Sequence, residues 1–227
     1  LRASQHAAEK QAAELSRSVA DRDRLLEELN RRVYDNLSAV AGLLEHEQHS
    51  TPTDPTATGA LQDIRARVLG MMSAHEGAVT PDAIALDAFL HRLAKQLAQL
   101  YGPRCSFAVK VSHTVMLDPL LAAPLSLVLT ELALHACKHA YPEGGPIELA
   151  LRRDGSSVAI DVGELGRGLP DGFALETGAS LGLPLVRELA AQIGARVSWR
   201  RGAERGTVFT VQLPASVPES VRRMPLT

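Results

Sequence analysis

The segment "ELALHACKHA", residues 131 to 140, concentrates groups able to do chemistry: a carboxylate at Glu131, imidazoles at His135 and His139, and an amine at Lys138. Two histidines one helical turn apart can share a zinc ion, but no third ligand accompanies them at a metal-binding spacing, so no metal site is assigned. Cys105 and Cys137 are too few and too far apart for a zinc or disulfide framework and read as free thiols. Two glycine-bearing stretches could approach a ligand with backbone. "VGELGRGLP" holds Gly166 and Gly168 beside Glu164, and "SLGLPLV" places Gly182 near a helix start, where amides can receive phosphates although Pro184 removes one donor. In "ELNRRVYDNL", by contrast, Arg31 and Arg32 sit in the middle of an apolar rhythm and call for an explanation.

The elements that must position these groups fall into two parts. Steps of alternately three and four residues from Ala8 run through Ala12, Leu15, Val19, Arg22, Leu26, Leu29, Val33, Asn36, Val40 and Leu43, and only Arg22 and Asn36 interrupt the apolar series. A seam of mean spacing 3.5 predicts a coiled coil, which Leu25, Leu37 and Leu44 widen toward a four-helix bundle. "HSTPTDPTATG", residues 49 to 59, breaks the helix, and a second helix is expected over roughly Ala60 to Ala78. Its Leu61, Ile64, Val68, Met71, Met72 and His75 are expected to pack back on the first. Such a hairpin cannot cover its own apolar faces, which predicts a homodimer through residues 8–78.

The remainder predicts a mixed α/β sandwich, with helices on one face of the sheet. Thr80 is expected to cap a helix that has Pro81 at its first position. "CSFAVKVS" alternates as a strand, and "PLLAAPLSLVLTELALHACKHA" is a long apolar helix. "PIELALRRDGSSVAIDVGE" is a hairpin about Asp154-Gly155. A helix ended by Gly194 precedes a closing hairpin about Gly202 and Gly206. The class is therefore α+β overall. A coiled coil and hairpin occupy 1–78, an α/β sandwich 79–216 and a polar tail 217–227.

Composition bounds the partners. The chain has 227 residues, is 45% hydrophobic and has a formal charge of -2, so it carries a sizeable core and gives no electrostatic reason to expect nucleic acid or a membrane surface. No uninterrupted apolar run of about 18 residues and no signal-peptide core is found, and a cytoplasmic location is expected.

The order of hairpin then sandwich resembles the dimerisation and ATP-binding modules of bacterial sensor histidine kinases, in the branch related to the HWE kinases. Glu28, Leu29, Arg32, Val33, Asn36 and Leu37 match that branch's first-helix motif, "ALQDIRARVLGMMSAHE" its second helix, and "LSLVLTELALHACKHAYP" its nucleotide helix. No tryptophan stands before Glu164, which favours the sister subfamily over the HWE group itself.

The resemblance implies a nucleotide site at Glu131, His135, Lys138, His139, Glu164, Gly166, Gly168, Gly182 and Thr207, with a response-regulator receiver domain as partner and a sensory domain upstream. Sensors in related proteins include light-sensing and PAS-type domains, a bacteriophytochrome photosensor among the options. Three positions depart from the motif. The phosphoacceptor histidine falls on Arg31, whose guanidinium cannot serve as a nucleophile. The magnesium-ligating asparagine falls on His135, a poor substitute for a hard oxygen. The adenine-binding aspartate falls on Glu164, followed by Leu165 where an asparagine is usual. The expectation is a pseudokinase with weak or absent ATP and magnesium binding. Two alternatives remain open: a kinase using another histidine, His46 or His49, or a response-regulator phosphatase using the amide of Asn36 beside Asp35.

Overall fold

The computed structural model describes residues 2–50, 55–75, 78–80, 83–141, 143–154, 157–170, 173, 182–203 and 205–213; the expected tail at 217–227 lies outside them. Helix α1 spans Arg2–Ser50 and α2 spans Pro55–His75, antiparallel arms of a hairpin. The second helix thus starts earlier than the sequence reading placed it and ends at His75. Pro55 is tolerated because the first-turn N–H has no intrahelical acceptor to lose. One face of α1 packs Tyr34, Leu37, Ala41 and Leu44 against Val68, Leu69, Met71 and Met72 of α2. Leu15, Val19, Leu29, Val33, Val40 and Leu43 lie on the seam and are exposed in the single chain.

Strand β1, Ala78–Thr80, and strand β2, Ala83–Ala85, follow. Helix α3 is Leu86–Tyr101, with Ala85 at its N-cap and no side-chain cap. The expected helix start at Thr80 and Pro81 is therefore corrected: Thr80 belongs to a strand, and Pro81 lies outside the described residues. The reason is visible in Ile84, which pairs with Leu117 of β4, Met116–Leu117, and is buried as part of a sheet. Helical periodicity takes hold only from Leu86, through Phe89, Leu90, Leu93 and Leu97, all buried.

Strand β3 is Cys105–Val111, α4 is Pro119–His139, β5 is Gly145–Asp154, and β6 is Ser157–Glu164. Helix α5, Gly182–Gln192, precedes β7, Arg196–Arg201, and β8, Thr207–Leu213. The larger sheet is five-stranded in the order β3-β5-β6-β8-β7, with β3 parallel to β5 and the other neighbours antiparallel. Alternate residues Ile147, Leu149 and Leu151 of β5 and Phe209, Val211 and Leu213 of β8 point into one core, shared with α3, α4 and α5. Helix α4 is apolar enough by composition to cross a membrane, but its apolarity is used in this core. Asp118 fixes its start by accepting the Leu120 N–H, with Pro119 at the first helical position. At the end of α5, Gly194 takes a φ of 63° and the Ala195 N–H returns to the Ala190 carbonyl, a helix stop that favours glycine.

Candidate functional site

Helix α4 runs between the sheet and α2, and its last turns bring the chemical groups of the sequence together. Glu131, Leu134, His135, Lys138 and His139 border a cavity of about 340 Å³ whose other walls are α2 and the start of α5. Glu131 is 5% exposed and its carboxylate faces Gly182, where a Cβ would come within 2.5 Å of Oε2. A side chain at position 182 would require the Glu131 carboxylate to shift.

Two residues that the sequence reading did not single out complete the site. Arg67 of α2 donates from Nε and from Nη2 to the two oxygens of Glu131, the second bond at 3.1 Å. Asp63, one turn earlier, pairs with Lys138 and accepts the Tyr101 hydroxyl at 2.9 Å. The available signal was the i, i+4 spacing of Asp63 and Arg67, a charged stripe on a helix otherwise committed to packing. Ile64, expected against α1, instead lines the cavity beside this stripe. His75 lies at the end of α2 and its side chain is outside the described residues.

His135 does not stand free in the cavity. Its ring lies edge-on to Phe209 with centroids 5.8 Å apart, 4.6 Å from the His139 ring and 6.3 Å from Phe173. Burial in this aromatic setting, with the charge of His139 adding to it, pulls its pKa down to about 4 and holds the imidazole neutral. His139 is shifted down as well, by burial first and then by Lys138 and Arg167.

Outside the cavity's lining, Glu164 and Thr207 are register partners on β6 and β8 and are both buried. Glu164 Oε2 accepts the Gly166 N–H at 2.5 Å, so the longer side chain folds back onto its own turn. Gly166 sits where a Cβ would strike the Ala140 carbonyl, and Gly168, at a φ of 71°, packs on Gly206. Leu165 is exposed, its N–H held by the Tyr141 hydroxyl at 2.7 Å. The glycine turn and Thr207 are thus joined to the end of α4, whereas Arg31 and Asn36 lie apart on α1. Arg31 is 62% exposed at the side chain and bonded to Glu28 and to Asp35 of its own helix.

A family model described as "Histidine kinase" matches residues 28–101, and one described as "Histidine kinase-, DNA gyrase B-, and HSP90-like ATPase" matches residues 121–217. The chain is 27% identical over 205 residues to "Sensor histidine kinase PdtaS" of Mycobacterium tuberculosis, covering 87% of this chain and 41% of that protein. It is 25% identical over 202 residues to "Blue-light-activated histidine kinase 2" of Erythrobacter litoralis, covering 86% of this chain and 58% of that protein. The chain therefore spans only about two fifths to three fifths of these relatives. Its fold matches the solved histidine kinase domain of the Erythrobacter litoralis EL346 blue-light activated histidine kinase with a TM-score of 0.61 at 21% identity, over 86% of this chain and 95% of that one.

An ATPase of that description implies ATP, ordinarily with magnesium. The residues fit the two unequally. Glu164, the glycine turn and Thr207 bring polar and backbone groups to the end of α4, and Lys138, Arg67 and the start of α5 line the cavity with cations and amides of the kind a phosphate would need. Magnesium does not fit: position 135 presents a packed imidazole in place of an oxygen, and both Glu131 oxygens are bonded to Arg67. No group of three His, Cys, Asp or Glu able to hold a metal occurs among the described residues.

Proposed function

The chain belongs to the sensor histidine kinases of the HWE-related branch, as a joined dimerisation and ATPase module, and we propose that in this member the module signals as a pseudokinase. The observation that carries the reading is Arg31. At the position the resemblance assigns to the phosphoacceptor, the side chain is a guanidinium with no lone pair to attack phosphorus, and Glu28 and Asp35 hold it in its protonated form. The imidazole at 135 and the Arg67-bound Glu131 support the same conclusion from the ATP side, because charge on a γ-phosphate would lack its metal.

In this reading the module is the cytoplasmic output half of a two-component sensor. A sensory domain precedes it, residues 8–78 form a parallel homodimeric coiled coil and bundle, and the sandwich occupies 79–216. The dimer's conformation determines what a response-regulator receiver domain meets on α1, and ATP with magnesium binds weakly or not at all. Incubation with γ-labelled ATP and magnesium, followed by acid-lability and mass mapping, is expected to find no phosphohistidine. Stoichiometric acid-labile phosphate would replace this reading with that of a kinase.

One observation favours a phosphatase activity as a second reading. Asn36 is exposed, and the carboxylate of neighbouring Asp35 is paired with Arg31 at 3.1 Å, which offsets the repulsion that Asp35 would exert on an acidic receiver site. An amide there could orient water toward a phosphorylated receiver. Dephosphorylation of a phosphoreceiver by the wild-type chain and its loss in Asn36→Ala would support this activity.

A further inference from the structure

Four charges line the cavity as two cross-helix pairs. On α2, Asp63 and Arg67 are one turn apart; on α4, Lys138 and Glu131 are two turns apart and are met in antiparallel order. The charges cancel, so the cavity has no net attraction for a polyanion while both pairs are closed. The groups that the ATPase resemblance directs toward a nucleotide, Glu131 and Lys138, are the same groups that α2 occupies.

The two pairs are unequal. Glu131 is almost wholly buried, and removing Arg67 alone would leave its charge without compensation, a costly arrangement. Lys138 is 42% exposed at the side chain and its partner Asp63 is 15% exposed, so that pair can exchange its partner for another anion more easily. Asp63 is further tied to the end of α3 through Tyr101, and the adjacent Gln62 amide donates to the Leu100 carbonyl at 2.7 Å. The α2 stripe therefore grips the sandwich at two elements, and a shift or rotation of α2 would move both pairs together.

We propose that Asp63 and Arg67 form an ionic latch by which α2 holds the ATPase sandwich closed over the phosphate end of its cavity, so that a nucleotide polyphosphate enters only when the latch opens. The latch deepens the reading of this cavity as a nucleotide site and rests on it. It gives movement of the hairpin a direct consequence: the helix that carries the signal also carries the charges that exclude the ligand.

The test uses the full chain with spin labels at Ala39→Cys on α1 and Ser198→Cys on β7, both exposed positions, diluted with unlabelled chain so that distances within one protomer dominate. The unaltered latch is expected to give one narrow distance. Asp63→Lys, which repels Lys138, is expected to lengthen and broaden it, and Asp63→Lys/Lys138→Asp to restore it. Asp63→Asn keeps an oxygen for Tyr101 while removing the charge pair, and is expected to give a smaller opening. Melting curves confirm that each variant is folded, and Asp63→Asn carries the test if Asp63→Lys is not.

Binding of a fluorescent ATP analogue, with magnesium and with EDTA, is read on the same proteins, and a several-fold rise in affinity is expected in the opened forms. An unchanged distance in the folded Asp63 variants overturns the latch. Opened distances with equal nucleotide affinity throughout overturn its control of the cavity. Opened distances with no nucleotide bound by any form support the latch as a contact and remove the nucleotide reading beneath it.

Discussion

Gly70 of α2 and Thr130 of α4 meet where the two helices cross, so closely that a Cβ on Gly70 would lie 2.6 Å from the Thr130 hydroxyl oxygen. Among the described residues that hydroxyl has no hydrogen-bond partner. Gly70→Ala would gain about 1 kcal/mol of helix propensity and lose roughly 1–3 kcal/mol to overpacking, so the net expectation is destabilisation by roughly 1 kcal/mol. Gly70→Ala/Thr130→Ala should recover most of that loss. Urea denaturation of the three proteins measures the difference, and a Gly70→Ala protein more stable than wild type would show that Thr130 yields.

The close approach at Gly70 also shows where sequence patterns stop being informative. The long helix α1 and the alternation of β5 and β8 were legible because each depends on a period imposed by its own backbone geometry. Gly194 was legible as a helix stop for the same local reason. The small sheet of β1, β2 and β4 was not, because Ala83–Ala85 is held between β1 and β4, and its partner Met116 lies more than thirty residues away. Thr80-Pro81 offered a better local helix start than Ala85, and the tertiary pairing overrode it. At the site, the resemblance identified positions on α4 and the glycine turns, but Asp63 and Arg67 gain their importance from the crossing of α2 over α4. No local periodicity encodes that crossing.

The exposed seam of α1 predicts association. Leu29 is 58% exposed and Val33 is 40% exposed in the single chain, an apolar stripe that a second copy would cover. Light scattering at micromolar concentration is expected to give twice the chain mass of 24.3 kDa. In Leu29→Asp/Val33→Asp the dissociation constant should rise by roughly two to four orders of magnitude, since each copy forfeits two buried side chains. A stable monomer in the unsubstituted protein would rule out the dimer.

Acid should weaken the fold through His135. Its pKa of about 4 in the folded chain lies below the ordinary histidine value near 6.5, and burial is the leading cause. Between those two pH values the unfolded chain binds a proton that the folded chain refuses, so stability falls as pH drops through about 6.5 and the loss is complete below about 4. Above pH 7 this histidine contributes no slope. The expected loss at pH 4 is roughly 2 kcal/mol, discounted for the ring's partial exposure. His139, shifted in the same direction, adds to it. His135→Phe keeps a ring against Phe209 and removes the titration, so its denaturation midpoint should depend less on pH between 7.5 and 5. An equal pH dependence in both proteins would assign the slope to other groups.

Repair of the missing chemistry tests the assignment of Arg31 and His135 together. Arg31→His alone restores an imidazole at the acceptor position, yet position 135 still offers no oxygen to a metal, so γ-phosphate charge would remain unscreened and no phosphate should be incorporated. Adding His135→Asn supplies that oxygen, at the expense of the ring contacts with Phe209 and Phe173. The double variant should then acquire acid-labile phosphate at position 31, slowly, because Glu164 is folded onto Gly166 and Arg67 is bonded to Glu131. Opening the latch with Asp63→Asn in the same background should raise the rate further if access to the cavity limits it. The site of labelling decides the matter. His46 lies 15 residues beyond Arg31 on α1, about 22 Å along the axis at ~1.5 Å per residue, too far to take over its position. Phosphate on His46 or His49, or on the unsubstituted chain, would make this protein an unconventional kinase and would remove the reading of Arg31 as a lost acceptor.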